Sequence, residues 1–87
     1  MTIFLKKFGK TLTSRSDGRE AFLVIRPTLD SKAEVVDIDF SGIISLSPGW
    51  ADEFFTALSG MYKDRVKYLP SDNLSVAETL KILEENN

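Results

Sequence analysis

The sequence predicts an α/β domain with a mostly parallel sheet, and three observations carry that expectation. Short β-branched and aromatic runs alternate with stretches of helical periodicity. Each helical stretch opens on a serine or aspartate at capping spacing, and glycine or proline punctuates the joins. The order reads βαβαβα, which implies right-handed crossovers with helices packed on the sheet. At 87 residues there is surface for one core, so residues 1–87 read as a single domain.

Ile3 to Phe8 is the first strand, closed by Gly9, and the polar residues 10–16 read as a loop. Asp17-Gly18-Arg19-Glu20 has capping-box spacing, so a helix is expected from Asp17, with Phe22, Ile25 and Leu29 on one face. Pro27 costs an interior helix about 3 kcal/mol and predicts a kink or an early end. Asp30 to Ala33 turns the chain into a strand over Glu34–Phe40, with Val36, Ile38 and Phe40 on one face and Val35, Asp37 and Asp39 on the other. Gly42 ends it, and residues 43–47 form a link or a short strand extension.

Ser47-Pro48 pairs a capping side chain with a proline suited to the first helical position, so the second helix runs from there to about Gly60. Trp50, Phe54, Ala57, Leu58 and Met61 make its apolar stripe. Trp50, Phe54 and Phe55 are expected in the core; the alternative, since Phe54 and Phe55 point to different sides of the helix, is that one of them is only partly covered and available for docking. Arg65 to Leu69 is the third strand. In the last helix Ser75 and Glu78 repeat the capping spacing, and Val76, Leu80 and Leu83 face inward before an acidic, frayed end over 84–87.

The composition, 43% hydrophobic and 28% charged, is that of a globular protein that folds. With no cysteine and no histidine, the chain lacks thiolate chemistry, the usual zinc ligands and the Ser-His-Asp and Cys-His triads. No cofactor is expected. The net charge of -2 argues against nucleic-acid binding, which draws on many lysine and arginine contacts. The apolar runs are too short to span a bilayer and the first residues lack the pattern of a signal peptide, so a cytoplasmic location is expected. Charge is unevenly spread: residues 1–26 hold six cations and two anions, residues 27–62 one cation and six anions.

Ligands of a parallel sheet meet the carboxyl ends of strands and the amino ends of the following helices. Asp39, Ser45 and Ser47 are expected near one such end. Asp37 and Asp39 share a strand face, where one acid is expected to be solvated and Asp39 to organise its loop; the alternative is that their oxygens hold Mg²⁺ for a carboxylate-dependent phosphohydrolase or transferase using Asp39, although no phosphate loop accompanies them. Gly9-Lys10-Thr11 copies the end of a phosphate loop, but the required earlier glycine is Phe4.

The stretch "VVDIDFSGIISLSPGWADEF" resembles the central strand, loop and helix of a STAS-like family of unknown function, itself similar to the STAS domains of bacterial anti-sigma-factor antagonists. "FGKTLTSR" before it and "RVKYLPSDNLSVAETLKIL" after it extend the likeness over most of the chain. The resemblance implies a non-catalytic regulatory module that docks on an ATPase-fold, kinase-like protein and is switched by serine phosphorylation at the start of this helix. By position the switch turn falls on Ser47-Pro48-Gly49, with serine in place of the family's aspartate and Pro48 nearest its acceptor. The expected docking residues are Ser45, Ser47, Gly49, Asp52 and Glu53, with phosphorylation at Ser45 or Ser47. A homo-oligomeric structural subunit, a homodimer for instance, is the other non-enzymatic reading.

Overall fold

Val36, Ile38 and Phe40 are buried on one side of the central strand while Val35 is exposed and Asp37 and Asp39 are half-buried on the other, the alternation the sequence predicts. The computed structural model describes residues 1–85; of the frayed end expected over 84–87, Asn86 and Asn87 lie outside the described residues. In chain order the elements are β1 (Thr2–Phe4), β2 (Thr11–Leu12), α1 (Arg15–Ile25), β3 (Val36–Asp39), β4 (Ser45–Leu46), α2 (Pro48–Tyr62), β5 (Val66–Tyr68) and α3 (Leu74–Glu85).

The architecture is the expected α/β one. Three strands form a parallel sheet in the order β1-β3-β5, with Ile3 opposite Ile38 and Ile38 opposite Tyr68. A second parallel pair, β2-β4, sets Thr11 opposite Ser45 and Leu12 opposite Leu46. In β1 and β3 the inward residues Ile3, Val36 and Ile38 are buried, whereas Thr2 and Phe4 are exposed and Asp37 and Asp39 half-buried. The helices therefore cover one face of the main sheet and leave the other to solvent.

Local chemistry explains where the elements depart from expectation. The first strand stops at Phe4 because Leu5–Phe8 coil into a 3₁₀ turn that buries Leu5, and Gly9 leaves it at a φ of +125°, a conformation open to glycine. Thr11 and Leu12, expected in a loop, pair with β4 instead. α1 begins at Arg15, earlier than Asp17: the Ser14 Oγ accepts the Asp17 N–H at 3.0 Å and is the cap. Gly18 thereby falls inside the helix. α1 ends at Ile25, where Arg26–Thr28 form a 3₁₀ turn containing Pro27, in keeping with an early stop.

At α2 the Ser47 cap and the Pro48 first position hold as the sequence indicates. At α3 the cap is Asn73, whose Oδ1 accepts the Val76 N–H at 3.1 Å, because the Ser75 hydroxyl is engaged across the structure with Leu46. Trp50, Phe54 and Phe55 are all buried, as expected of a core trio. α2 lies between two apolar masses: Phe54 stacks on Trp50 at 4.9 Å and meets Phe8 and Phe22, while Phe55 meets Phe40 and Tyr68.

α1 and α2 pack so closely that their backbones touch. A Cβ built on Gly18 would sit 2.9 Å from the Trp50 Cα and strike the Trp50 carbonyl oxygen. Helix propensity alone favours Ala over Gly by about 1 kcal/mol. At Gly18 that gain is opposed by backbone, which cannot rotate away, so Gly18→Ala is expected to destabilise by about 1–3 kcal/mol. At Gly60, where nothing lies within 4 Å, the same change should stabilise by up to about 1 kcal/mol. Phe40→Ala should cost about 3–5 kcal/mol. Urea unfolding of the three variants checks all three signs.

Candidate functional site

The segment that closes β4 and starts α2 is pinned to the segment that closes β2 and starts α1. The Ser47 N–H donates to the Leu12 carbonyl at 2.8 Å, and the Ser47 hydroxyl donates to the Thr13 carbonyl at 2.7 Å. The same oxygen accepts the Trp50 N–H at 3.3 Å. One serine thus caps α2 and ties it to the entry of α1, so the two helices begin side by side.

Parallel helices with adjacent amino ends bring like partial charges together, and acidic side chains there relieve them. Asp17 sits in the first turn of α1. Asp52 and Glu53 lie one turn into α2, but neither is a free anion. Asp52 Oδ2 takes a hydrogen bond from the Arg15 Nη1 at 2.8 Å, and Glu53 Oε1 lies 3.4 Å from Arg19 and 3.6 Å from Arg15. The Thr56 hydroxyl donates to the other Asp52 oxygen at 3.0 Å. The Arg15 guanidinium first, and then the Thr56 hydroxyl, hold the Asp52 carboxyl below its usual range, and the Asp52 hydrogen bond in turn raises Arg15.

Gly49 is small for a reason: a Cβ there would meet the Arg15 Cγ at 2.9 Å, so glycine lets the arginine cross to Asp52. Ser45 is half-buried in β4; its N–H donates to the Lys10 carbonyl at 3.2 Å, and its hydroxyl makes no hydrogen bond among the described residues. Asp39 belongs to another part of the surface. It lies on the open face of the sheet, where its Oδ1 accepts the Ser41 N–H at 2.8 Å. The Ser41 hydroxyl and amide, with Lys6 nearby, keep its carboxyl below the usual range. Among the described residues no group of three or more His, Cys, Asp or Glu side chains is placed to hold a metal ion.

The structure thus gathers Ser47, Gly49, Asp52 and Glu53 around two arginines of α1 and leaves Asp39 out. Arg15 and Arg19 were not evident as site residues in the sequence, since only the crossing of α1 and α2 puts them opposite the acids. Their i, i+4 spacing, matched to adjacent acids in the next helix, was the available signal. Beside this cluster a groove of about 310 Å³ runs along α2 toward α3. Arg15, Asp52 and Thr56 line its polar side, and Phe55, Tyr68 and Ile82 its apolar side. Tyr68 and Ile82 are 42% and 40% exposed, so apolar surface lies open next to the ion pairs. Partial burial raises the Tyr68 phenol above its ordinary value.

The Arg15–Asp52 pair is exposed on both sides, so solvent screening makes its contribution to stability small. Because the folded carboxyl is depressed, its contribution is present above the unfolded aspartate value near about 4 and is lost as pH falls through the folded value. Asp52→Asn should therefore be slightly less stable than the parent near pH 7, and the difference should shrink as pH falls below about 4. Ser47→Ala loses a cap and a link to Thr13, and should cost about 1–2 kcal/mol at either pH. Denaturant unfolding at the two pH values separates these effects.

Compared with protein-family models, with curated proteins and with solved structures, the chain finds no match, so its function is read from its own residues.

Proposed function

We propose that the chain is a non-catalytic protein-interaction module of the cytoplasm, resembling STAS anti-sigma-factor antagonists, which docks on an ATPase-fold, histidine-kinase-like regulatory protein through the start of α2. One observation carries the reading: partly exposed apolar side chains, Tyr68 and Ile82, lie beside the exposed Arg15–Asp52 pair along a groove on a rigid helix. Apolar surface with a charged border, held on a fixed frame, is what a protein partner reads. Among the described residues no helix is long and apolar enough to cross a membrane.

The docking residues Ser45, Ser47, Gly49, Asp52 and Glu53 divide by duty in this reading. Ser47 and Gly49 hold the shape, Asp52 and Glu53 set the charge with Arg15 and Arg19, and Ser45 is where charge can be added without losing a cap. A phosphate on Ser45 would bring charge near -2 to the head of α2. On Ser47 it would displace the bonds to Trp50 and Thr13. Ser45 is therefore the preferred site of regulation.

A homodimer is the second reading, favoured by the open sheet face, where Phe4 is 48% exposed. Sedimentation at micromolar concentration together with partner capture distinguishes it: a stable homo-oligomer that takes up no heterologous partner supports this second reading over docking.

Ser45→Asp should weaken binding to the partner captured from the native cell by about tenfold or more, while leaving stability within about 0.5 kcal/mol of the parent. Phe4→Lys, on the opposite face, should leave binding unchanged. Calorimetric titration of the captured partner checks both, and loss of binding in Phe4→Lys with full binding in Ser45→Asp would exclude this surface.

A further inference from the structure

The outer edge of β4 is filled by the side chains of a helix. In the β2-β4 pair, Ser45 and Ser47 donate to β2, which aims the N–H and C=O of Leu46 away from it. There the Leu46 N–H donates to the Ser75 Oγ at 3.0 Å and the Ser75 hydroxyl donates back to the Leu46 oxygen at 3.2 Å. The Thr79 hydroxyl donates to the same oxygen at 2.6 Å. A single hydroxyl therefore does for Leu46 what the C=O and N–H of a neighbouring strand would do. Asn73 extends the pattern, its Nδ2 donating to the carbonyls of Ile43 at 2.8 Å and Ile44 at 3.1 Å. Beside β3 the corresponding lane is occupied by a true strand, β5.

α3 is also the helix least bound into the core. Val76 is its one fully buried apolar side chain; Leu80 and Leu83 are partly buried, and Leu74 is 71% exposed. The other two helices bury three or more apolar side chains each, so α3, held by one buried valine, two partly buried leucines and a few hydroxyls, is the most weakly attached of the three. Once α3 moves away, Leu46 presents an N–H and a C=O in strand geometry, and extended backbone is the complement that satisfies both.

We propose that the outer edge of β4 is a strand-addition site for an extended segment of a partner protein, kept closed by α3, which lifts as a unit while the rest of the domain stays folded. That the occupant is a protein rests on the protein-docking reading above; the lifting of α3 does not, and because it carries Ile82 out of the α2 groove the two surfaces are used in turn and not together.

The test uses the full chain and two readouts. Hydrogen exchange followed by NMR in low denaturant should show the Leu46 amide at least about tenfold less protected than those of Phe54 and Leu58 in α2. The double variant Ser75→Ala/Thr79→Val should lower protection at Leu46 by about a further tenfold and leave Phe54 and Leu58 within about threefold of the parent. Thr79→Val alone, which keeps the Ser75 pair, should fall between, and Thr79→Ser should behave as the parent. Opening of Leu46 only together with Phe54 and Leu58 would overturn the proposal.

The second readout is titration with a blocked seven-residue peptide alternating valine with lysine. The double variant should bind it at least about tenfold more tightly than the parent, with shifts centred on Leu46, and N-methylation of the peptide backbone should abolish binding. Equal affinity for parent and double variant, or shifts confined to the open face around Phe4 and Asp39, would overturn strand addition even if α3 lifts. Neither readout uses the Arg15–Asp52 side of the α2 groove, so Asp52→Lys, which lies outside β4 and α3, can fail to weaken partner binding while this proposal stands, and the reverse.

Discussion

Contact between the backbones of α1 and α2, where Gly18 meets Trp50, is the constraint on which the rest of the molecule is arranged. It fixes the distance between the helices at a value that one methyl group would exceed. Trp50 then lies flat against Phe54, and Phe8 and Phe22 close over them. The same approach brings Arg15 and Arg19 within reach of Asp52 and Glu53, so the electrostatic character of the candidate surface follows from a steric fact in the core. Gly49 repeats the device at the margin, where the obstacle is the arginine side chain.

The second organising feature is the interruption of the sheet. β1 and β3 pair for three residues, the chain turns through Leu5–Phe8 on one side and Ser41–Gly42 on the other, and pairing resumes as β2-β4. A continuous parallel strand would carry every second side chain to the open face. Breaking it lets Leu5, Leu12, Ile43 and Leu46 all turn inward, which raises the buried apolar content of a chain this short. The cost is a two-residue strand with one unpaired edge, and the hydroxyls of Ser75 and Thr79 cover it.

Much of this was legible in the sequence where a rule acts within one element. The inward face of β3, the Ser47-Pro48 start of α2, the stop at Pro27 and the parallel α/β order all follow from spacing and backbone chemistry. What was not legible depends on partners distant in the chain. Asp17-Gly18-Arg19-Glu20 satisfies a capping box as well as Ser14 does, and only the need to set Gly18 against Trp50 decides for Ser14. Ser75 likewise has cap spacing, yet Leu46, twenty-nine residues earlier, claims its hydroxyl. Asp39 was grouped with Ser45 and Ser47 by nearness in the chain, but strand alternation turns it to the opposite side of the sheet. Thr11 and Leu12 carry too short a pattern to read as a strand without sight of β4.

The shared hydroxyl of Ser47 has a consequence for how the domain comes apart. Helix ends ordinarily fray one at a time, each losing its first turn at little expense to its neighbours. Here the first turn of α2 cannot unwind without surrendering the bond to Thr13, and with it the anchor that positions Ser14 to cap α1. The two amino ends are thus tied into one unit, and anything that held the head of α2 in place would also steady the head of α1 without touching it.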